Sequence, residues 1–266
     1  MNIVRSPMEH LMNPSNLSPS GPVKEVYDVH APEYDKVSSC PQSIGLTHPL
    51  VFSMVGDVAG KSILDLACGT GLYLKAFSEA GAKESVGVDI SDGMIEAARR
   101  RVGSKATLLV SDMASHELPS VLRGRKFDIV MSAWGLYHME TDAQLSSALS
   151  NAYTLLADDG VAYFVLGEDK ATLNGIDRLI GVEILEVVRG DWSGTTCVKK
   201  ALAGEVVVLD VCRPYPVLEA ACRKAGFRRV EKINQVFDEA GLKVWSAEDW
   251  EKIKSVKPVF AIACYK

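Results

Sequence analysis

The sequence predicts an α/β fold: an open, doubly wound, mostly parallel sheet flanked by helices. Three observations carry that expectation. From position 61 onward, short apolar stretches alternate with helical stretches of roughly ten to fifteen residues, a rhythm that makes right-handed βαβ units. A glycine turn, Cys68-Gly-Thr-Gly71, directly follows the first apolar stretch. Acidic residues stand on or at the ends of the first three apolar stretches, at Asp65, Asp89 and Asp112.

The elements follow in order. Residues 1–22 are rich in Pro, Ser and Asn without a hydrophobic period, and read as a flexible leader. Residues 23–60 read as an N-terminal helical segment ending in Leu50–Val58, with Tyr27, Asp28, Tyr34 and Asp35 near its front. Ser62–Ala67 is the first strand, and the helix after the glycine turn stops at Gly81. Ser85–Asp89 is the second strand. Ser91 caps the next helix, whose Met94, Ile95 and Ala98 share a face and whose end carries Arg99, Arg100 and Arg101, where cations complement the macrodipole. Thr107–Val110 and Phe127–Ser132 are the third and fourth strands. A helix over Asp142–Leu156, a turn at Asp158-Asp-Gly160 and a fifth strand, Val161–Leu166, follow. Residues 168–212 break the rhythm and read as an insertion: a helix near Gly175–Arg189, a polar turn at Asp191–Gly194 and a β segment at Glu205–Val211. Then come a helix, Pro216–Ala225, ended by Gly226, a strand within Phe227–Phe237, a short helix near Ala247–Ile253 and a last strand, Val259–Tyr265. The short link between the last two strands predicts an antiparallel pair at one sheet edge.

Composition narrows the function. With 266 residues and a net charge of −5, the chain is long enough for a full core but lacks the clustered Lys and Arg that phosphate neutralisation requires, so nucleic acid is not the expected partner. No apolar run is long enough to span a membrane, and no secretory signal pattern opens the chain. The six cysteines form no C-x-x-C pair and no zinc spacing; such scatter suits reduced thiols in the cytoplasm, with no metal expected.

Ligands of open α/β sheets bind beyond the carboxyl ends of the strands, where strand order reverses. Gly69 and Gly71 bring backbone within reach of such a ligand. A nicotinamide enzyme is the natural rival, but its G-x-G-x-x-G register finds Leu74 where the third glycine belongs. Asp89, eighteen residues past Gly71, suits the hydroxyls of an adenosine ribose under either reading. Asp65, four residues before Gly69, discriminates: a carboxylate there suits a ligand bearing an ammonium group and is an odd neighbour for a pyrophosphate. Asp112 is placed to accept an adenine amino group, with Met94 and Met113 on the ring.

Leu64-Asp-Leu-Ala-Cys-Gly-Thr-Gly71 resembles the first motif of the class I S-adenosylmethionine-dependent methyltransferases. Val86-Gly-Val-Asp89-Ile-Ser-Asp-Gly-Met94 resembles their acidic second motif, Ser111-Asp112-Met113 the third, and Phe127-Asp-Ile-Val-Met-Ser-Ala133 the fourth, continuing as Trp134-Gly-Leu-Tyr-His138. Asp158-Asp159 stands where the family often has Lys-Pro. The resemblance covers roughly residues 23–167 well and the C-terminal sheet edge moderately. It implies a Rossmann-like, seven-stranded sheet with an antiparallel last strand, and S-adenosylmethionine as cofactor. It implies cofactor contacts from Ala67, Cys68, Gly69, Gly71, Asp65, Asp89, Ile90, Met94, Asp112, Met113 and Ala133. Tyr27-Asp-Val-His-Ala-Pro-Glu-Tyr34-Asp35 is similar to the start of a lid in small-molecule members, which adds Tyr27 and Tyr34 to the cofactor contacts.

The activity so implied is methyl transfer to nitrogen or oxygen of a small molecule, by a monomer or homodimer. Such a displacement needs alignment and exclusion of water, and a hydroxyl acceptor more often needs a base than an amine does. His138 is the candidate base, and Trp134, Tyr137 and His138 the candidate acceptor contacts. Residues 168–212 are expected to overhang the strand ends and help build the acceptor pocket, with a dimer contact as the alternative use. A subunit that holds the cofactor without turnover shares the first three motifs, since these bind rather than react.

Overall fold

The computed structural model describes residues 21–31, 34, 36, 41–168, 176–180, 182–189, 195–202, 206–239 and 243–266. The leader over 1–20, Asp35 and the turn at Asp191–Gly194 lie outside the described residues.

Among the described residues, helices α1 (Gly21–Val29) and α2 (Pro41–Val55) precede the sheet. The core then runs β1 (Ser62–Leu66), α3 (Leu72–Glu79), β2 (Glu84–Asp89), α4 (Asp92–Val102), β3 (Thr107–Val110), α5 (Leu118–Val121), β4 (Phe127–Ala133), a 3-10 turn (Gly135–His138), α6 (Asp142–Leu155) and β5 (Leu156–Gly167). Strands β6 (Val182–Arg189), β7 (Thr196–Leu202) and β8 (Val206–Cys212) follow, then α7 (Tyr215–Lys224), β9 (Arg229–Asn234), α8 (Ala247–Val256) and β10 (Val259–Tyr265).

The main sheet has seven strands in the order β3-β2-β1-β4-β5-β10-β9. Strands β1 to β5 pair in parallel, and β10 is antiparallel to both β5 and β9. Period-two alternation gives the sheet two apolar faces. Leu64, Leu66, Val86 and Val130 pack with Leu145, Leu149 and Ala152 of α6 and Leu218 of α7. Ile63, Ile129 and Met131 pack with Leu50 and Val51 of α2, Phe77 of α3 and Ile253 of α8. Helix starts are chemically marked. The Ser91 hydroxyl accepts from Met94 N, and Thr141 and Gln144 form a capping box. The three arginines do fall in the last turn of α4.

Two expectations are corrected. The helix expected near Gly175–Arg189 is not what the described residues form: Asp177–Ile180 is a 3-10 turn and Val182–Arg189 is strand β6. The β-branched Val182, Ile184, Val187 and Val188 favour extended backbone, and antiparallel pairing with β7 decides the outcome. Together β6, β7 and β8 form a separate three-stranded sheet. The turn at Asp158-Asp-Gly160 is an irregularity inside β5. Leu156 pairs with Phe127 and Val161 with Ile129, so residues 157–160 stand opposite Asp128 alone.

Candidate active site

Strand order reverses between β1 and β4, so the crevice lies at their carboxyl ends. Both ends bend through left-handed backbone, at Ala67 (φ 62°) and Trp134 (φ 68°), conformations that cost a side-chain-bearing residue energy and cluster at functional sites. The glycine turn divides its labour. A Cβ on Gly71 (φ 76°) would come within 3.1 Å of Ala98 Cβ and 3.2 Å of Val102, so this glycine permits close approach of α4. Gly69 (φ 53°) faces Tyr34, whose ring carbon would lie 3.6 Å from a Cβ there.

Three acids surround this turn. Asp89 accepts from Gly69 N at 2.8 Å and from Ser91 N at 3.0 Å, one bond to each oxygen. Burial still pushes its carboxyl up to about 6. Asp65 is 2% exposed, and its Oδ1 has no hydrogen-bond partner among the described residues. Burial, then the nearby Asp89, raise its carboxyl well above the usual range. Asp112 is half-buried, accepts from Ala114 N at 2.8 Å and is raised by burial. A buried acceptor without a donor is costly, and two buried carboxyls next to each other are costlier. A nucleoside carrying an ammonium-bearing tail fits this donor-poor, acidic crevice; a pyrophosphate does not.

The remaining expected contacts occupy defined places. Cys68, Met94 and Met113 are buried, and Ala67, Ile90 and Ala133 are half-buried. Met94 packs with Tyr27, Ala31 and Val208, and Met113 belongs to the core beside Leu136. Tyr27 meets Tyr34 edge to face at 5.2 Å. Trp134 and Tyr137 tilt against each other at 5.9 Å. The Tyr137 hydroxyl donates to Gly167 O (2.8 Å) and accepts from Gly167 N (2.6 Å), which ties this residue to β5.

Helix α1 is pinned over the start of α4. Asp28 Oδ1 accepts from the Ser91 hydroxyl (2.7 Å) and Gly93 N (3.2 Å), while Lys24 bridges Asp28 and Asp92 at 2.6 and 2.8 Å. The absent side chain of Gly93 allows the contact, because a Cβ would sit 2.6 Å from Asp28 O. This placement sets the Tyr27 hydroxyl 2.9 Å from His138 Nε2.

Two residues that sequence reasoning missed complete the cluster. Asp210 of β8 is 2% exposed, forms an ion pair with Lys200 of β7 and stands 3.7 Å from His138 Nδ1. Lys200 also lies over the Tyr137 ring at 5.2 Å. Burial lowers the His138 imidazole below its ordinary value, Asp210 opposing and Lys200 assisting. Neither residue belongs to a recognisable motif, and only the β7–β8 register puts them on one face. Among the described residues, no group of three or more His, Cys, Asp or Glu is placed to hold a metal, and no helix is long and apolar enough to cross a membrane.

Residues 63–160 match the family model of the methyltransferase domain. A demethylmenaquinone methyltransferase of Lactococcus lactis is 27% identical over 118 residues, 43% of this chain and 47% of that protein. A tRNA U34 carboxymethyltransferase of Aeromonas hydrophila is 33% identical over 113 residues, 41% of this chain and 33% of that protein. The chain thus spans about half or less of the length of these curated relatives. An S-adenosylmethionine-dependent methyltransferase structure from Mesorhizobium loti superposes with TM-score 0.60 at 18% identity, covering 86% of this chain and all of that one, a shared fold. The matched segment runs from β1 into β5 and contains the glycine turn and all three acids, so over residues 63–160 the chain is similar to the methyltransferase domain.

Proposed function

We propose that this chain binds S-adenosylmethionine at the carboxyl ends of β1 to β3 and catalyses methyl transfer to a nitrogen or oxygen of a small molecule. The observation that carries the reading is Asp65: a buried carboxyl oxygen with no donor among the described residues, beside a glycine turn and a second buried acid. In this reading Asp65 receives the ammonium of the methionyl tail near Gly69. Asp89 and Ile90 hold the ribose side, and Asp112, Met113 and Met94 the adenine. Ala67, Cys68, Gly71 and Ala133 shape the backbone around them. When bound, the cofactor supplies a methyl group already activated on a sulfonium, so the protein's work is orientation and exclusion of water.

The segment containing α1 acts as the lid, with Tyr27 and Tyr34 over the crevice. The β6–β8 sheet forms part of the acceptor pocket, with Trp134, Tyr137 and His138 opposite. A net charge of −5 supports a small-molecule acceptor over nucleic acid.

Calorimetric titration tests the cofactor. S-adenosylmethionine and S-adenosylhomocysteine bind, and NAD does not; tight NAD binding with no response to the sulfonium reverses the assignment. A metabolite extract incubated with isotopically labelled methyl donor identifies the acceptor by the mass of its product. Absence of any labelled product, with cofactor binding intact, favours a subunit that holds the cofactor without turnover.

A further inference from the structure

The candidate base does not face the crevice directly. His138 Nε2 is 2.9 Å from the Tyr27 hydroxyl, and Tyr27 in turn touches Tyr34, which lies over Gly69. On the other side of the imidazole, Nδ1 looks at Asp210 from 3.7 Å. That gap exceeds a hydrogen bond, so the carboxylate acts on the ring through its field. The field has a definite consequence. A bare Nδ1 lone pair facing a buried carboxylate is repelled, whereas an Nδ1–H is attracted, and the Leu209 carbonyl of the same strand also favours the protonated ring. The proton of the neutral ring therefore sits on Nδ1, and Nε2 accepts from the Tyr27 hydroxyl. Tyr27 keeps its oxygen lone pairs for a donor in the crevice.

We propose that Tyr27, His138 and Asp210 form a proton relay, and that the methyl acceptor is consequently a hydroxyl rather than an amine. This rests on the methyltransferase reading above. As the acceptor O–H bond breaks, its proton binds the Tyr27 oxygen and the proton of Tyr27 passes to His138 Nε2. The resulting imidazolium faces Asp210 and later releases the proton to water, the one proton that methylation of a hydroxyl must discharge. Tyr27 and His138 move the proton; Asp210 is a positioning residue acting through His138. The charged and titratable groups around the relay are Tyr34 and Asp89 beside Tyr27, and Lys200 and Asp210 beside His138. Burial, assisted by Lys200 in its pair with Asp210, favours the neutral ring at rest, which is the state a base needs. An amine acceptor, bound neutral, has no use for this arrangement.

Imidazole nitrogen NMR on the full chain reads the tautomer without any acceptor. The wild type is expected to show His138 protonated on Nδ1, with Nε2 shifted as a hydrogen-bond acceptor and released by Tyr27→Phe. Protonation on Nε2 overturns the relay. In Asp210→Asn the Nδ1–H preference weakens, and the titration of His138 moves to lower pH by half a unit or more. An unmoved titration makes Asp210 a packing residue. Radiolabelled S-adenosylmethionine with matched panels of phenols, alcohols and amines supplies the second readout. Methylated hydroxyls are expected, with turnover at least tenfold lower in Tyr27→Phe and the acid limb of its pH profile displaced in Asp210→Asn. Methylation of amines at rates that neither variant changes overturns the proposal. Calorimetry with S-adenosylhomocysteine separates the two levels: a wild type that fails to bind it sinks the cofactor reading itself, whereas normal binding with the wrong tautomer sinks only the relay.

Discussion

Asp89→Asn sets stability against binding at one residue. The Asp89 carboxyl is buried and rises from 3.8 to about 6 in the folded protein. Between those values the native state holds a proton that the unfolded chain has released, so stability falls as pH rises through this window, and the penalty is complete above it. At about 1.4 kcal/mol for each pH unit, keeping the side chain ionised at pH 8 costs the folded state about 3 kcal/mol. Asparagine removes the charge but retains one acceptor, so one of the bonds from Gly69 N and Ser91 N is lost, at about 1 kcal/mol. The variant is therefore expected to gain about 2 kcal/mol, an increase of about 4–8 °C in melting temperature by calorimetry at pH 8. Affinity moves the other way. Loss of one hydrogen bond to a charged acceptor, about 1.5–3 kcal/mol, weakens S-adenosylhomocysteine binding by about 10- to 150-fold in isothermal titration. A lower melting temperature would refute the energetic argument, and unchanged affinity would refute the ribose assignment.

Three other substitutions probe the scaffold. Gly93→Ala puts a Cβ 2.6 Å from Asp28 O, so α1 should lift from α4; limited proteolysis within residues 21–29 should accelerate severalfold, and an unchanged rate means that α1 is held elsewhere. Gly71→Ala combines φ 76° with a 3.1 Å contact to Ala98 and should destabilise the protein by about 2–4 kcal/mol in urea unfolding. Tyr137→Phe removes both bonds to Gly167 and should cost about 1–3 kcal/mol of stability; cofactor affinity should stay within twofold, and a large loss of binding would place this hydroxyl in the crevice.

What could be read in the sequence was whatever depends on local period and motif. Alternation placed β1 to β5, α6 and the β9–β10 pair within a few residues, and Ser91 and Gly71 mark helix starts as expected. Segment 182–189 misled because Glu183, Leu185 and Glu186 are good helix formers interleaved with β-branched residues, and only pairing with β7 decides between them. Strand β7 itself was illegible: Lys199-Lys200 interrupts its apolar pattern. The site divides along the same line. The acids and the glycine turn belong to continuous motifs, whereas Lys200 and Asp210 meet His138 through the register of a three-stranded sheet and its packing on α1 and the 3-10 turn. At Gly71 the structure adds a second use that the motif does not announce: its missing Cβ admits Ala98 and Val102 of α4.

The excursion of residues 157–160 opposite Asp128 occurs at the amino-terminal rim of the sheet, where the Asp158 side chain is 97% exposed. Every residue assigned a chemical task sits at the opposite rim. This makes the excursion a natural port for engineering: a fluorophore, an affinity handle or a tether to a surface can be grafted there without approaching the reaction.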